Sequence, residues 1–175
     1  MRKLGHAETA LLLTESALKP DDTDIVINYE RYLLSGDSAR WESVISREGF
    51  LAQNFELAAF DYAEAGLYAE AIQMIELCLK QGPENPVLWY TLAWLQWLSD
   101  INPIMTLQKA SAVPPDHCFP NRIESLLALE KAVEITAGDY SAHYYLGNLW
   151  YDKRQYDMAI RHWETALSYN PHFPA

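Results

Sequence analysis

Cysteine is scarce in this chain. There are two among 175 residues, Cys78 and Cys118. They sit in unlike contexts and have no metal or redox spacing, so nothing calls for a disulfide framework or an oxidising compartment. Basic residues are also few: 13 Lys and Arg against 24 Asp and Glu, a formal net charge of −11. A nucleic-acid partner is disfavoured, because a basic patch supplies most of that affinity. Long apolar runs are missing too. The longest, Val87 to Leu98, is about half of what spans a bilayer. Met1 to Gly5 carry two positive charges, but His6, Glu8, Thr9 and Glu15 follow, which is not the apolar core of a leader. The expectation is a cytoplasmic protein with no membrane partner. The seven glycines form no phosphate-binding loop: six fall at predicted helix ends, and Gly147 reads as a packing position.

What is present is apolar and periodic. Half of the residues are hydrophobic and 13% are aromatic, too apolar for a disordered chain. The length suits one domain or a short repeat array. The clearest pattern lies near the C-terminus. Asp139 can cap a helix that carries Tyr144, Tyr145, Leu146, Leu149 and Trp150. The polar turn Asp152-Lys153-Arg154-Gln155 breaks it. A second periodic segment follows with Tyr156, Ala159, Ile160, Trp163, Ala166 and Leu167, ended by Asn170-Pro171. The same helix–turn–helix pattern occurs upstream. Phe55, Ala58, Ala59 and Tyr62 share one helix, Gly66 stops it, and Tyr68, Ala71, Ile72, Ile75, Cys78 and Leu79 share the next, closed by Gly82-Pro83.

These positions resemble the tetratricopeptide repeat, a unit of about 34 residues with aromatic, glycine, alanine and proline slots. Leu146, Gly147, Trp150, Ala159, Trp163, Ala166 and Pro171 fit the last unit, and His143 departs from its first slot. Ala58, Ala59, Tyr62, Ala71, Cys78 and Pro83 fit a middle unit. Trp89, Leu92 and Ala93 open another, whose second helix is displaced to Arg122–Ile135 by an insertion of roughly 20 residues. That insertion holds a short helix, about Pro103 to Ala112, and the loop Val113 to Pro120. The alternative pairs the Pro103 helix with the Pro86 helix and leaves the Arg122 helix as the extra one.

The resemblance implies an all-α right-handed solenoid of nine or ten helices forming a single array. Its divisions are a half repeat at 1–22, a degenerate repeat at 23–50, a repeat at 52–85, a repeat at 86–139 with its insertion near 101–121, and a repeat at 140–173. Ala10 and Ala17 have the alanine spacing of a second helix. Asp24–Ser35 and Ser38–Arg47 form a short pair around Gly36, with Trp41 in an aromatic slot. Neither end carries a polar cap, so the chain is expected to be a piece of a longer protein. The runs Asp116 to Arg122 and Ala142 to Asn148 also resemble the C-terminal repeat region of large bacterial proteins with a domain of unknown function in front.

Arrays of this family bind partners along the first helix of each pair. The matching positions are Glu56, Phe60, Tyr90, Trp94, Trp97, Tyr144, Asn148 and Tyr151. The lysine slots of the carboxylate-clamping arrays hold Glu56, Tyr90 and Tyr144, and only Asn148 matches the asparagine. An apolar or basic peptide is therefore expected rather than a C-terminal carboxylate. The Val87–Leu98 helix is apolar all round. The inserted helix, with Ile104, Met105 and Leu107, either covers the groove or leaves it open, and the sequence permits both. Asn148 suits a backbone contact as well as a ligand.

Catalytic chemistry finds little support. Asp116-His117-Cys118 lacks a phased second base, and a loop packing Cys118 and Phe119 against the array accounts for it. His143 and His162 can meet across one hairpin, but without a third ligand they make a poor metal site, and no metal is expected. No cofactor and no enzyme activity are expected. The rival to peptide binding is an architectural array that packs on another part of its own chain, or on a second copy through the uncapped last repeat.

Overall fold

The computed structural model describes residues 2–46, 52–81, 85–115, 118–120 and 122–172. Among these residues there are ten α-helices, one short 3-10 turn and no strand. The helices are α1 (Ala7–Ala17), α2 (Ile25–Ser35), α3 (Ser38–Ile45), α4 (Ala52–Glu64), α5 (Tyr68–Gln81), α6 (Pro86–Leu98), α7 (Ile104–Ala112), α8 (Glu124–Ile135), α9 (Tyr140–Asp152) and α10 (Tyr156–Tyr169). The described residues are thus all-α and built from helix hairpins of the tetratricopeptide-like type.

Local chemistry sets the boundaries. Four helices begin at an Asp or Asn whose carboxylate or carbonyl oxygen accepts a first-turn N–H. Asp24 accepts from Ile27 at 2.9 Å, Asp37 from Arg40 at 3.1 Å, Asn85 from Val87 at 2.9 Å and Asp139 from Ala142 at 3.0 Å. Each satisfies an otherwise orphaned donor. Pro86 opens α6, where a missing N–H does no harm. Helices α4, α6 and α9 close by a shared device. The N–H of Leu67 bonds to Tyr62 O, that of Ile101 to Gln96 O and that of Gln155 to Trp150 O. In each case the preceding residue lies in the left-handed region: Gly66 at φ +72°, Asp100 at +58° and Arg154 at +59°. Only the first is the residue that conformation favours.

The chain divides into two units, Met1–Ala58 and Ala59–Ala175, with the division inside α4. In the first, α1 packs on α2 and α2 on α3. Tyr29 and Tyr32 lie against Trp41, with ring centroids 5.2 and 5.9 Å apart. Arg2 pairs with Glu30 at 2.9 Å. Ala10 is buried, but Ala17 is exposed, contrary to its expected packing slot. α1 ends there, and Leu18 turns inward instead.

In the second unit the alanine slots behave as the repeat pattern requires. Ala71, Ala93, Ala132, Ala159 and Ala166 are all buried, as is Cys78. A small side chain there lets neighbouring helices approach closely. One core cluster joins Tyr90 and Ala93 of α6, Leu107 and Ala110 of α7, Ala128, Leu129 and Ala132 of α8, and Ala142, Tyr145 and Leu146 of α9. Both α7 and α8 pack on α6, and each also reaches α9. Helix α7 is tied down by polar bonds as well. Thr106 Oγ1 donates to Gln96 Oε1 at 2.7 Å, and Ser141 Oγ donates to Ser111 O at 3.1 Å.

Candidate protein-binding surface

Helix α9 turns one stripe of side chains toward α10, and a glycine sets the spacing. Gly147 lies against the indole of Trp163, and a methyl at that position would run into the ring. With no side chain there, Trp163 Nε1 reaches Asn148 and donates to its Oδ1 at 3.1 Å. Tyr151 lies 5.8 Å from Trp163 and 5.5 Å from Tyr156, centroid to centroid. Tyr151 and Tyr156 are 52% and 53% exposed, and Ile160 is 49% exposed. The result is an open aromatic surface with an amide beneath it. Asn148 is 4% exposed, and its Nδ2 has no hydrogen-bond partner among the described residues.

The other expected groove positions have different fates. Tyr90 is fully buried, so it lines no open groove. It sits in the core cluster with Leu107 and Ala110 of α7. Its hydroxyl donates to Asp139, 2.9 Å from Oδ1 and 3.0 Å from Oδ2. Burial, reinforced by the neighbouring carboxylate, pushes the Tyr90 hydroxyl well above its usual pKa. Burial also raises the Asp139 carboxyl, opposed by hydrogen bonds from the Ala142 N–H, Tyr90 and Ser111. Asp139 is therefore a helix cap bonded to α6, although it lines a cleft of about 280 Å³ with Ser111 and Thr136.

Phe60 is buried and packs against the half-buried Trp94 at 5.5 Å. Trp97 is 43% exposed, but the Lys131 ammonium of α8 lies 4.0 Å from its ring centroid. Tyr144 is half-buried against the core, edge-on to Tyr145 at 5.4 Å. Glu56 is buried. The structure thus gathers Asn148 and Tyr151 into one surface, keeps Phe60 and Trp94 as a packed pair, and removes Tyr90. Tyr156 and Trp163 complete the open surface. The Trp163 repeat slot signalled only packing, and the Gly147 that brings it close was the available clue.

Of the residues read for chemistry, Asp116 and His117 lie outside the described residues. Cys118 packs against the core cluster, and its thiol lies 3.5 Å from Asn85 Oδ1. Phe119 is 53% exposed rather than packed down. His143 and His162 do meet, Nδ1 to Nδ1 at 3.1 Å, while His143 Nε2 faces Ala137 O at 3.3 Å. Burial first, then the neighbouring His143, keeps the His162 pKa below its ordinary value. Among the described residues, no helix is long and apolar enough to cross a membrane.

Residues 140–173 match the tetratricopeptide repeat family. No match to a curated protein is found. Repeats of this family generally mediate protein–protein interaction, and the family is in general a non-catalytic scaffold. The last hairpin, residues 140–173, thus matches the tetratricopeptide repeat family, and the other described helices share its all-helical, repeat-like architecture.

Proposed function

We propose that this chain is a non-catalytic, cytoplasmic interaction scaffold that binds an apolar or basic protein segment at Tyr144, Asn148 and Tyr151, extended by Tyr156 and Trp163. One observation carries the reading. The face of α6 that holds Tyr90 lies against α7, whereas Tyr151 and Tyr156 stand open beside a buried amide donor. Rigid aromatic side chains are the commonest anchors of interfaces because little rotamer freedom is lost on binding. The charge of −11 favours a basic partner over an acidic one. A Glu or Tyr in every lysine slot disfavours a terminal carboxylate.

Selection from a displayed library of random peptides tests this. The wild-type chain should enrich apolar or basic sequences. The variant carrying Tyr144→Ala, Asn148→Ala and Tyr151→Ala, matched for helicity, should not enrich them. Equal enrichment by both chains, or none by the wild type, rejects the reading. A second reading, self-association, is favoured by the apolar side chains Tyr156, Ile160 and Leu167 along α10, each at least 40% exposed. Sedimentation over a range of concentrations checks it: a dimer lost on Ile160→Glu supports this reading, and an invariant monomer removes it.

A further inference from the structure

We propose that His143 and His162 form a two-imidazole site for a borderline divalent cation, Zn²⁺ or Cu²⁺, with water in the remaining positions. The pair joins the first turn of α9 to the middle of α10 within the last hairpin. The Nδ1 atoms are 3.1 Å apart. Two nitrogens that each lie about 2.0–2.1 Å from one cation, at angles between square and tetrahedral, are roughly 2.9–3.4 Å apart.

The tautomers suit the role. Ala137 O can only accept, so the His143 Nε2 that faces it at 3.3 Å carries the proton. That leaves the Nδ1 of neutral His143 as a bare lone pair. A hydrogen bond from the distal ring nitrogen, to a backbone carbonyl among other acceptors, sets the tautomer of a ligating histidine. His162 then supplies the proton shared between the two Nδ1 atoms. It can move that proton to its own Nε2 and present a second lone pair, so the exchange consumes no other reactant.

The rings now face each other nitrogen to nitrogen, with centroids 5.4 Å apart. A shared cation sits beside that line, which requires each ring to turn by roughly 35–45°. Both side chains are partly exposed, which leaves room to turn and a path for entry. Among the described residues no group of three or more His, Cys, Asp or Glu could hold a metal. Open coordination positions and modest affinity follow.

The test uses the full chain at pH 7.5 with ZnCl₂ alone. Competition against a chromophoric chelator should show one saturable Zn²⁺ per chain, weakened at least tenfold in His143→Gln and in His162→Gln. Helicity of each variant is compared in the absence of metal. Nitrogen NMR of the wild-type imidazoles needs no variant, and it should show both Nδ1 resonances shifting on titration. No binding, equal affinity in the variants, or ligation through Nε2 would overturn the proposal and leave a hydrogen-bonded pair.

Discussion

Helices α6 and α9 each open a hairpin, and each carries its candidate contact residues at the same spacing: Tyr90, Trp94 and Trp97 on one, Tyr144, Asn148 and Tyr151 on the other. On α6 the first of the three is sealed by α7 and bonded to Asp139, and the last lies under Lys131. On α9 the last of the three is half exposed beside Tyr156 and Trp163. The spacing places residues on one face of a helix in both cases. What that face meets depends on the neighbouring elements, and here helix α7 makes the difference.

The largest expected effect breaks the contrast at its source. Leu107→Ala removes a buried anchor of α7 and should cost about 2–5 kcal/mol. Thermal unfolding should register a fall of roughly 2–4 °C for each kcal/mol in a chain of this size. The same variant should make Tyr90 reachable by solvent-borne quenchers or modifiers. If Tyr90 stays protected, α7 is not what seals it. Gly147→Val attacks the other helix. The added side chain collides with Trp163, and overpacking of this kind costs about 1–3 kcal/mol or more. Tryptophan fluorescence should shift as Trp163 is displaced, and an unaltered spectrum and Tm would contradict the close approach.

Much of this architecture could be read from the residues. The hairpin of α9 and α10 was legible because Asp139, the turn at 152–155, the alanines and Asn170-Pro171 all agree. The buried alanine slots followed from the same pattern. The fate of Tyr90 was not legible. Tyr90 is buried with Leu107 and Ala110 of α7, a helix whose packing the repeat pattern alone does not predict. Trp163 and Tyr156 were missed as surface residues because the slot that marks a packed aromatic does not say which edge remains in water.

Two smaller effects sharpen the picture of the open hairpin. Arg154 holds a left-handed backbone at φ +59°, which is unfavourable for a residue with a Cβ. Arg154→Gly should raise stability by roughly 0.5–1 kcal/mol, measured by denaturant midpoint, without disturbing the aromatic surface. The pH effect is smaller still. The folded pKa of His162 lies below its ordinary value of 6.5, so on acidification the unfolded chain takes up protons first. Stability should be fully present above about pH 7 and decline as the pH falls through the mid-sixes toward the folded pKa. Melting curves at pH 7.5 and 6.0 should show a small fall in Tm for the wild type and a lesser one for His162→Gln.

The most direct measurement titrates a library-selected peptide, by calorimetry, into the wild-type chain, Tyr151→Ala and Trp97→Ala. An anchor residue at an interface contributes about 1–2 kcal/mol or more, so Tyr151→Ala should weaken binding roughly tenfold or more, while Trp97→Ala leaves it within about twofold. Equal weakening by both, or a greater loss with Trp97→Ala, would place the contact on α6 and contradict the account.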